Sequence, residues 1–323
     1  MAPGNVEISA CLGLTDGLSA CPPQMRAWSS ARFTIPLPQG HRFPIQKYAL
    51  VQDQVIRRGL LPPEAMEEPG PAARTDLALV HQEPYLDAIY RGTLDPAATR
   101  RLGFPWSPDL RERSLRTVQG TIEAARDAVS GGAGVNLAGG THHAFSDRGE
   151  GFCVFNDVAV AIRVLQREGI IRRAAIVDLD VHQGNGTARI FAGDAAVFTF
   201  SLHGEKNYPF HKEESRLDVG LPDGCEDQVY LDVLSRHLDD VLERSAPDLV
   251  CYLAGADPYV GDRFGRLRLS RAGLRERDRM VFQACRARGL AVVMTLSGGY
   301  AREVSEVAEI HADTLQELLA CYA

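Results

Sequence analysis

The second half of the chain alternates between short apolar runs and longer segments in which apolar residues recur at helical spacing. The runs are rich in Val, Ile and Leu, which is typical of strands buried on both faces of a parallel sheet. They cover residues 135–138, 174–181, 197–202, 249–254 and 291–296. The helical patterns cover residues 157–168, 228–243, 274–288 and 302–320. This alternation predicts an α/β fold with a central parallel sheet and helices on both of its faces.

The domain organisation follows from where this regular pattern begins. Residues 1–24 lack periodicity and are rich in Gly, Pro, Ser and Cys, so we expect a loosely ordered N-terminal extension. Met25 offers an alternative start. Residues 25–323 contain no internal repeat or low-complexity linker and are expected to form one domain. Within it, Asn156 precedes a helical pattern and is the expected N-cap of that helix.

Polar residues directly follow four of the predicted strands. The carboxyl ends of parallel strands share one edge of the sheet, where ligands of such folds bind. We therefore expect these side chains to converge, although each strand contributes only one or two. The converging residues are His142 and His143, Asp180 and His182, Asp257, and Tyr300.

Three of these residues form a candidate metal site. Asp180 and His182 are two positions apart, so their side chains leave the strand end on the same side. Together with Asp257 they supply two carboxylates and one imidazole, which leaves metal positions open, as in catalytic zinc sites. Taken singly, an Asp in this place often caps a helix, and a lone His is more often structural. The same donors could also hold Fe(II) or Co(II).

Two glycines limit the site to one metal ion. A two-metal site on this kind of sheet needs further carboxylates two residues away from the ligands, to bridge the ions. Those positions hold Gly184, two after His182, and Gly255, two before Asp257. Neither can contribute a side-chain ligand.

Composition and charge exclude several classes of protein. The net charge of −7 argues against a nucleic-acid partner. An acidic chain also suits a cationic partner such as a lysine-rich peptide, although most acidic proteins are simply soluble. No segment approaches the ~20 apolar residues of a membrane span, no signal peptide is visible, and the seven cysteines include no Cys-x-x-Cys pair. We expect a cytoplasmic protein with reduced thiols; no feature specifies its oligomeric state.

Beyond the candidate metal site, the chain resembles the zinc-dependent histone deacetylases. The matching segments occur in the family's order from about residue 26 to near the end. They are GHRFPIQKY (40–48), GGTHHA (139–144), GEGFCVFND (149–157), DLDVHQGNG (178–186), SLH (201–203), AGAD (254–257) and SGGY (297–300). Gln183, Asn185 and Ser297 resemble the class IV branch and its bacterial relatives more than class I. The family fold is an arginase-like α/β sandwich around a parallel sheet.

The resemblance implies a role for each matched side chain. It makes Asp180, His182 and Asp257 the ligands of a single Zn2+ ion. It makes His143 the general base and acid, His142 its electrostatic neighbour, and Tyr300 a hydroxyl donor to the oxyanion. Asp178 would orient His142. Asn185 would orient His143, at a position where class I enzymes carry Asp.

The same resemblance extends to a substrate tunnel and a second ion. Gly151 and Phe152 match the loop that lines the acyl-lysine tunnel, and Tyr208 or Phe210 would form the facing wall. A K+ or Na+ ion would be held largely by backbone carbonyls. Its residues would be Asp178, Asp180, His182, Ser201 and Leu202, although Ser201 and Leu202 also suit plain strand ends.

The sequence leaves three functions open. The first is a lysine deacylase that acts on a protein or peptide and could also remove acyl groups longer than acetyl. The second is a deacetylase of a small acylated amine. Phe264 and Gly265 occupy the region where polyamine deacetylases carry a gatekeeping Glu, and residues 103–107 lack the rim Asp of many class I enzymes. The third is a non-catalytic acyl-ligand binding protein, which the retained ligands, histidines and Tyr300 disfavour.

Overall fold

An eight-stranded sheet, parallel throughout, forms the centre of the computed structural model, which describes residues 25–322. The predicted extension at residues 1–24 lies outside the described residues. The strands are β1 (Ala27–Trp28), β2 (Met66–Glu67), β3 (Ala133–Asn136), β4 (Ala174–Asp178), β5 (Val197–Gly204), β6 (Leu217–Leu221), β7 (Leu249–Leu253) and β8 (Ala291–Thr295). Their order across the sheet is β2-β1-β3-β8-β7-β4-β5-β6. The predicted α/β fold with a parallel sheet is confirmed.

Ten α-helices connect and flank these strands. They are α1 (Lys47–Arg57), α2 (Arg74–Leu77), α3 (Glu83–Arg91), α4 (Pro96–Leu102), α5 (Pro108–Gly131), α6 (Asp157–Arg167), α7 (Asn185–Ile190), α8 (Asp227–Ser245), α9 (Arg271–Ala287) and α10 (Val304–Tyr322), within the described residues. The five predicted strands and four predicted helices all occur, with ends shifted by a few residues. The helices before residue 132, together with β1, β2, β6 and α7, were not predicted.

The two faces of the sheet are covered by two separate apolar cores. Along β4, Ala175 and Val177 face one core, whereas Ala174 and Ile176 face the other. The first core receives apolar side chains from α1, α8, α9 and α10, and the second receives them from α3, α5 and α6. Burial on both faces explains why the central strands contain almost no polar residue before their carboxyl ends.

The start of α6 fastens the loop that carries the histidine pair. Asn156 caps the helix as predicted, accepting a hydrogen bond from the Ala159 N–H at 3.0 Å. The next residue, Asp157, is fully buried and accepts hydrogen bonds from the backbone N–H groups of Gly140 and Thr141. A buried carboxylate bonded in this way fixes the backbone directly before His142.

Two further sequence-based expectations concern membrane-spanning helices and the state of the cysteines. Between residues 25 and 322, no helix combines the length and apolar character needed to cross a membrane. The cysteines in this part of the chain are all free, and Cys251 is buried within β7 as a small apolar residue.

Candidate metal centre and active site

The carboxyl ends of β4 and β7 hold the three predicted metal ligands close together. Nδ1 of His182 lies 3.0 Å from Oδ1 of Asp180 and 3.2 Å from Oδ2 of Asp257. One donor atom from each residue lies within 4.8 Å of the other two, and all three residues are buried. Because β4 and β7 are neighbouring parallel strands, the backbone itself brings these residues to one edge.

The electrostatics of this triad favour a bound cation. Oδ2 of Asp257 is buried and makes no hydrogen bond to any described residue, although His182 lies beside it. Burial, reinforced by Asp180, raises the pKa of Asp257 to about 7. Burial opposes protonation of His182, but its hydrogen bond to Asp180 and the nearby negative charge of Asp257 outweigh this effect and raise its pKa to about 10. Two carboxylates and an imidazole that attract positive charge so strongly fit a divalent metal ion.

Close packing at two glycines leaves no room for further ligands. A Cβ on Gly184 would lie 2.4 Å from Oδ2 of Asp178, and one on Gly255 would lie 2.8 Å from Oδ2 of Asp180. Both distances are shorter than real Cβ contacts, so a side chain at position 255 would displace candidate ligands, and one at position 184 would displace the neighbouring Asp178. Among the described residues, Asp180, His182 and Asp257 form the single metal-capable cluster.

The loop after β8 orients the Asp180 carboxylate. Its Oδ2 accepts hydrogen bonds from the Ser297 hydroxyl and the Gly298 N–H, each at 2.7 Å. Residue 298 must be glycine, because an added Cβ would lie 1.9 Å from Oδ2 of Asp257. The Ser-Gly-Gly segment therefore lies against the metal site with its backbone, which explains its small residues.

A buried arginine, which the sequence reasoning missed, joins the two strand ends that bear the ligands. Arg277 on α9 is fully buried and donates to the carbonyls of Gly255 at 2.6 Å and Leu179 at 3.3 Å. Its charge is balanced by Asp278, 2.7 Å away. Nothing in the sequence distinguishes this mid-helix arginine from the exposed ones, since its role depends on tertiary packing.

The two histidines are held by different partners. Nδ1 of His142 lies 2.6 Å from Asp178, and Nδ1 of His143 lies 2.7 Å from Oδ1 of Asn185. Burial disfavours the charged form of His142, but Asp178 and Asp180 outweigh it and raise its pKa to about 9. Among the described residues no carboxylate is hydrogen-bonded to His143, and burial together with the neighbouring histidines lowers its pKa well below the usual value. The pair therefore combines a charged ring with a neutral one.

A glutamate continues the chain of hydrogen bonds beyond Asn185. The Asn185 amide donates to Oε1 of Glu150 at 3.1 Å, and the Tyr208 hydroxyl donates to the same oxygen. Because its amide nitrogen faces a carboxylate, the oxygen of Asn185 must face His143. Sequence reasoning gave Glu150 no role, although it lies inside a motif used for the family resemblance.

Tyr300 lines the same small cavity as Asp180 and His182. Burial, with Asp257 and Asp180 close by, raises its pKa well above the ordinary value. Its ring packs against Phe264, with ring centroids 5.0 Å apart. The ammonium group of buried Lys47, another residue without a predicted role, lies 5.5 Å from the ring centroid and donates to the Ser297 carbonyl.

An open cavity of about 610 Å³ leads from the surface to His143, His182 and Tyr300. The predicted tunnel residues Gly151, Phe152, Tyr208 and Phe210 all line it. Tyr208 packs edge-on against His143, with ring centroids 5.0 Å apart, so it lies deep in the cavity. Phe210 is 80% exposed and lies at the mouth.

Of the residues predicted to hold a monovalent cation, Asp178, Ser201 and Leu202 lie on the neighbouring strands β4 and β5, and Asp180 and His182 follow β4. Asp178 at the end of β4 is in register with Ser201 on β5, and Leu202 follows it. The Ser201 hydroxyl is within hydrogen-bond distance of Nδ1 of His203, at 2.9 Å. The role of these residues in binding a monovalent cation stays a prediction.

Comparison with known proteins places these residues in a family. The model of the histone deacetylase domain matches residues 41–316. The chain belongs to the histone deacetylase family. This histone deacetylase homologue is thus a hydrolase that acts on amides, in a family of metal-dependent deacetylases.

Two relatives and a solved structure illustrate the extent of the similarity. An uncharacterized protein of Picosynechococcus is 46% identical over 280 residues, covering 87% of this chain and 93% of its own. Histone deacetylase 2 of Arabidopsis thaliana is 32% identical over 287 residues, covering 86% and 73%. The crystal structure of an HDAC homolog complexed with SAHA superposes with a TM-score of 0.80 at 24% identity, covering 92% and 84%. At that identity the structural match supports the fold alone.

Replacing Asp257 with asparagine tests the metal site. The introduced amide can still accept the hydrogen bond that the Val181 N–H gives to Oδ1 at 2.9 Å, but it lacks the unpartnered anionic oxygen. Asp257→Asn should therefore weaken metal binding by more than the ~10–100-fold that is typical of changes outside the ligand set. Metal content of the purified protein, measured by mass spectrometry, checks this. Asp239→Asn, on the exposed side of α8, is the matched control, and equal metal content in both variants would contradict the assignment.

Proposed function

We propose that this protein is a zinc-dependent N-acyl-lysine deacylase. The observation that carries the proposal is the buried Asp180–His182–Asp257 triad beside His143 and Tyr300, at the inner end of an open cavity. An amide is a poor electrophile with a poor leaving group, so its hydrolysis needs help at both the carbonyl and the nitrogen. The triad, the histidine and the tyrosine together offer those functions at the inner end of one cavity.

Asp180, His182 and Asp257 would hold the zinc ion. When bound, zinc polarises the amide carbonyl and lowers the pKa of water towards about 7. The triad uses two anionic ligands, and its small neighbours at positions 184 and 255 favour a single ion. Fe(II) and Co(II) suit the same donors. From the family resemblance we also propose a K+ or Na+ ion between β4 and β5.

His143 is the proposed general base and acid. Its Nδ1 proton is accepted by Asn185, which leaves Nε2 free to take a proton from the attacking water. The low pKa of His143 keeps that nitrogen unprotonated before the reaction. The same nitrogen then returns a proton to the departing amine.

Tyr300 is the proposed oxyanion donor. Since its pKa is raised, its hydroxyl keeps the proton and donates a hydrogen bond to the oxygen of the tetrahedral intermediate. Phe264 and Arg263 hold the tyrosine in place: Phe264 packs on the ring, and Arg263 donates to the Tyr300 carbonyl at 2.9 Å.

Asn185 supports assignment to the class IV branch. An amide stabilises imidazolium less than a carboxylate would, so His143 should be a weaker base than in class I enzymes. Glu150 accepts a hydrogen bond from the Asn185 amide nitrogen and so fixes the orientation of Asn185. Its negative charge acts on His143 through this amide. We propose that this arrangement is a working variant rather than a defect.

The second candidate is a deacetylase of a small acylated amine. The open cavity of about 610 Å³ would accept such a substrate as readily as a peptide side chain. Phe264, rather than a glutamate, lies beside Tyr300, so the site offers no carboxylate there for a second ammonium group. This absence, among the lining residues, favours acyl-lysine over acetylated polyamines.

Two substitutions separate the chemical step from metal binding. His143→Ala should reduce kcat by about 10²–10⁴-fold and Tyr300→Phe by about 10²–10³-fold, because each removes one group acting on the transition state. Neither residue belongs to the triad, so bound zinc should stay near the wild-type amount. Steady-state kinetics and metal analysis of the same samples check both statements. Normal turnover in either variant would refute its assigned role.

A substrate panel separates the two candidate functions. Peptides carrying acetyl-, butyryl-, octanoyl- and myristoyl-lysine are compared with acetylated polyamines at equal concentration, and product is quantified by mass spectrometry. We expect turnover of the acyl-lysine peptides and little or none of the polyamines. The opposite ranking would favour the small-amine function, and failure to bind zinc or any hydroxamate would favour a non-catalytic protein.

A further inference from the structure

The mouth of the active-site cavity is strongly cationic, although the whole chain carries a net charge of −7. Six basic side chains line this cavity, and no Asp or Glu is found among its lining residues in the described part of the chain. The six, referred to here as the basic rim, are Arg42, Arg100, Arg101, Lys206, Arg263 and Arg266. All six are exposed, so their charges act on whatever approaches the cavity.

The basic rim is assembled from four separate parts of the chain. Arg42 precedes α1, Arg100 and Arg101 lie in the last turn of α4, Lys206 follows β5, and the remaining two lie between β7 and α9. The cations thus come from unconnected segments that line one cavity, and not from one basic stretch of the chain. An anionic group that enters would meet positive charge from all four segments, in a concave region that concentrates the field.

Most of these charges have no acidic partner. Arg266 pairs with Asp223 at 3.2 Å, but within residues 25–322 the other five basic-rim residues make no ion pair. Arg263 is held by backbone carbonyls instead, donating to Tyr300 at 2.9 Å and Arg42 at 3.2 Å. This fixes one guanidinium at the edge of the cavity without neutralising it, whereas surface arginines elsewhere on the protein commonly pair with carboxylates.

We propose that the preferred substrate is an acyl-lysine flanked by acidic residues. This inference rests on the proposed deacylase function and names its substrate class. The neutral acyl-lysine side chain would enter the cavity, and Asp or Glu residues on either side of it would lie over the basic rim. A lysine-rich peptide, which the net charge alone would suit, is repelled at the one place where it must bind.

Matched peptides test the proposal directly. One acetyl-lysine is flanked on both sides by three Glu, three Gln or three Lys, and kcat/KM is measured for each peptide. We expect the Glu-flanked peptide to exceed the Gln-flanked one by at least about tenfold, and the Lys-flanked one to be slowest. The preference should shrink towards one between about 0.1 M and about 1 M salt, as the Debye length falls from about 10 Å to about 3 Å. Equal rates, or a preference for Lys, would overturn the proposal.

Variants locate the effect on the basic rim. Arg100→Gln/Arg101→Gln should lower the Glu-to-Gln rate ratio by roughly twofold for each cation removed, the effect of unit charges about 10 Å apart in water. Arg172→Gln is the matched control, since Arg172 is exposed and lies just before β4, at the opposite edge of the sheet. It should leave the ratio unchanged. An equal Glu-to-Gln rate ratio in the double variant and the wild type would show that the basic rim does not cause the preference for acidic flanking residues.

Binding and turnover of the same peptides distinguish the two claims. Fluorescence anisotropy of labelled peptides reports the charge preference even when no amide is hydrolysed. If no acyl group of the substrate panel is hydrolysed but the Glu-flanked peptide binds more tightly, the deacylase function is rejected and the basic rim is supported as an anion-binding surface. Hydrolysis of all three peptides with equal binding would support the deacylase function and reject the basic rim's proposed role.

Discussion

Buried negative charge at the ends of β4 and β7 is the constraint on which the site depends. Asp178, Asp180 and Asp257 are all fully buried, and an uncompensated carboxylate in such surroundings is strongly unfavourable. Backbone N–H groups of Val181 and Gly298, together with neighbouring histidines, offset part of this charge. One oxygen of Asp257 still has no hydrogen-bond partner among the described residues. A metal cation bound here would complete this arrangement, so in the proposed function the metal would contribute to the charge balance of the fold as well as to the chemistry.

The surroundings of the triad follow from the same constraint. Glycines at 184, 255 and 298 let the backbone approach the carboxylates so closely that side chains would collide with them. The fully buried cation of Arg277 holds the carbonyls next to two of the ligands. In the proposed function, His143 and Tyr300 supply groups for proton transfer and hydrogen bonding, and the exposed basic rim selects the peptides that reach them. On this proposal the chemistry depends on the inner end of the cavity and the selectivity on its mouth.

The sequence predicted those parts whose cause is local. Central strands such as β4 and β7 are continuous apolar runs, and the residues that follow them converge because parallel strands share an edge. In contrast, β1 and β2 have two residues each, too few for a pattern. The sequence did not predict the long helix α5, because its buried face includes Arg113, Thr117 and Thr121, which interrupt the apolar stripe. The roles of Glu150 and Arg277, like the basic rim, depend on contacts between distant segments and could not be read from spacing.

Titration of the metal-free protein with zinc tests the central claim most directly. Isothermal calorimetry gives the number of ions bound, and the thermal unfolding midpoint Tm, followed at each zinc concentration, reports on the charge balance. The account predicts one tightly bound ion per chain and a Tm that rises as it binds, because the ion binds the folded triad and not the unfolded chain. Binding of two ions, or saturation without any rise in Tm, would contradict a single cation that neutralises buried carboxylates.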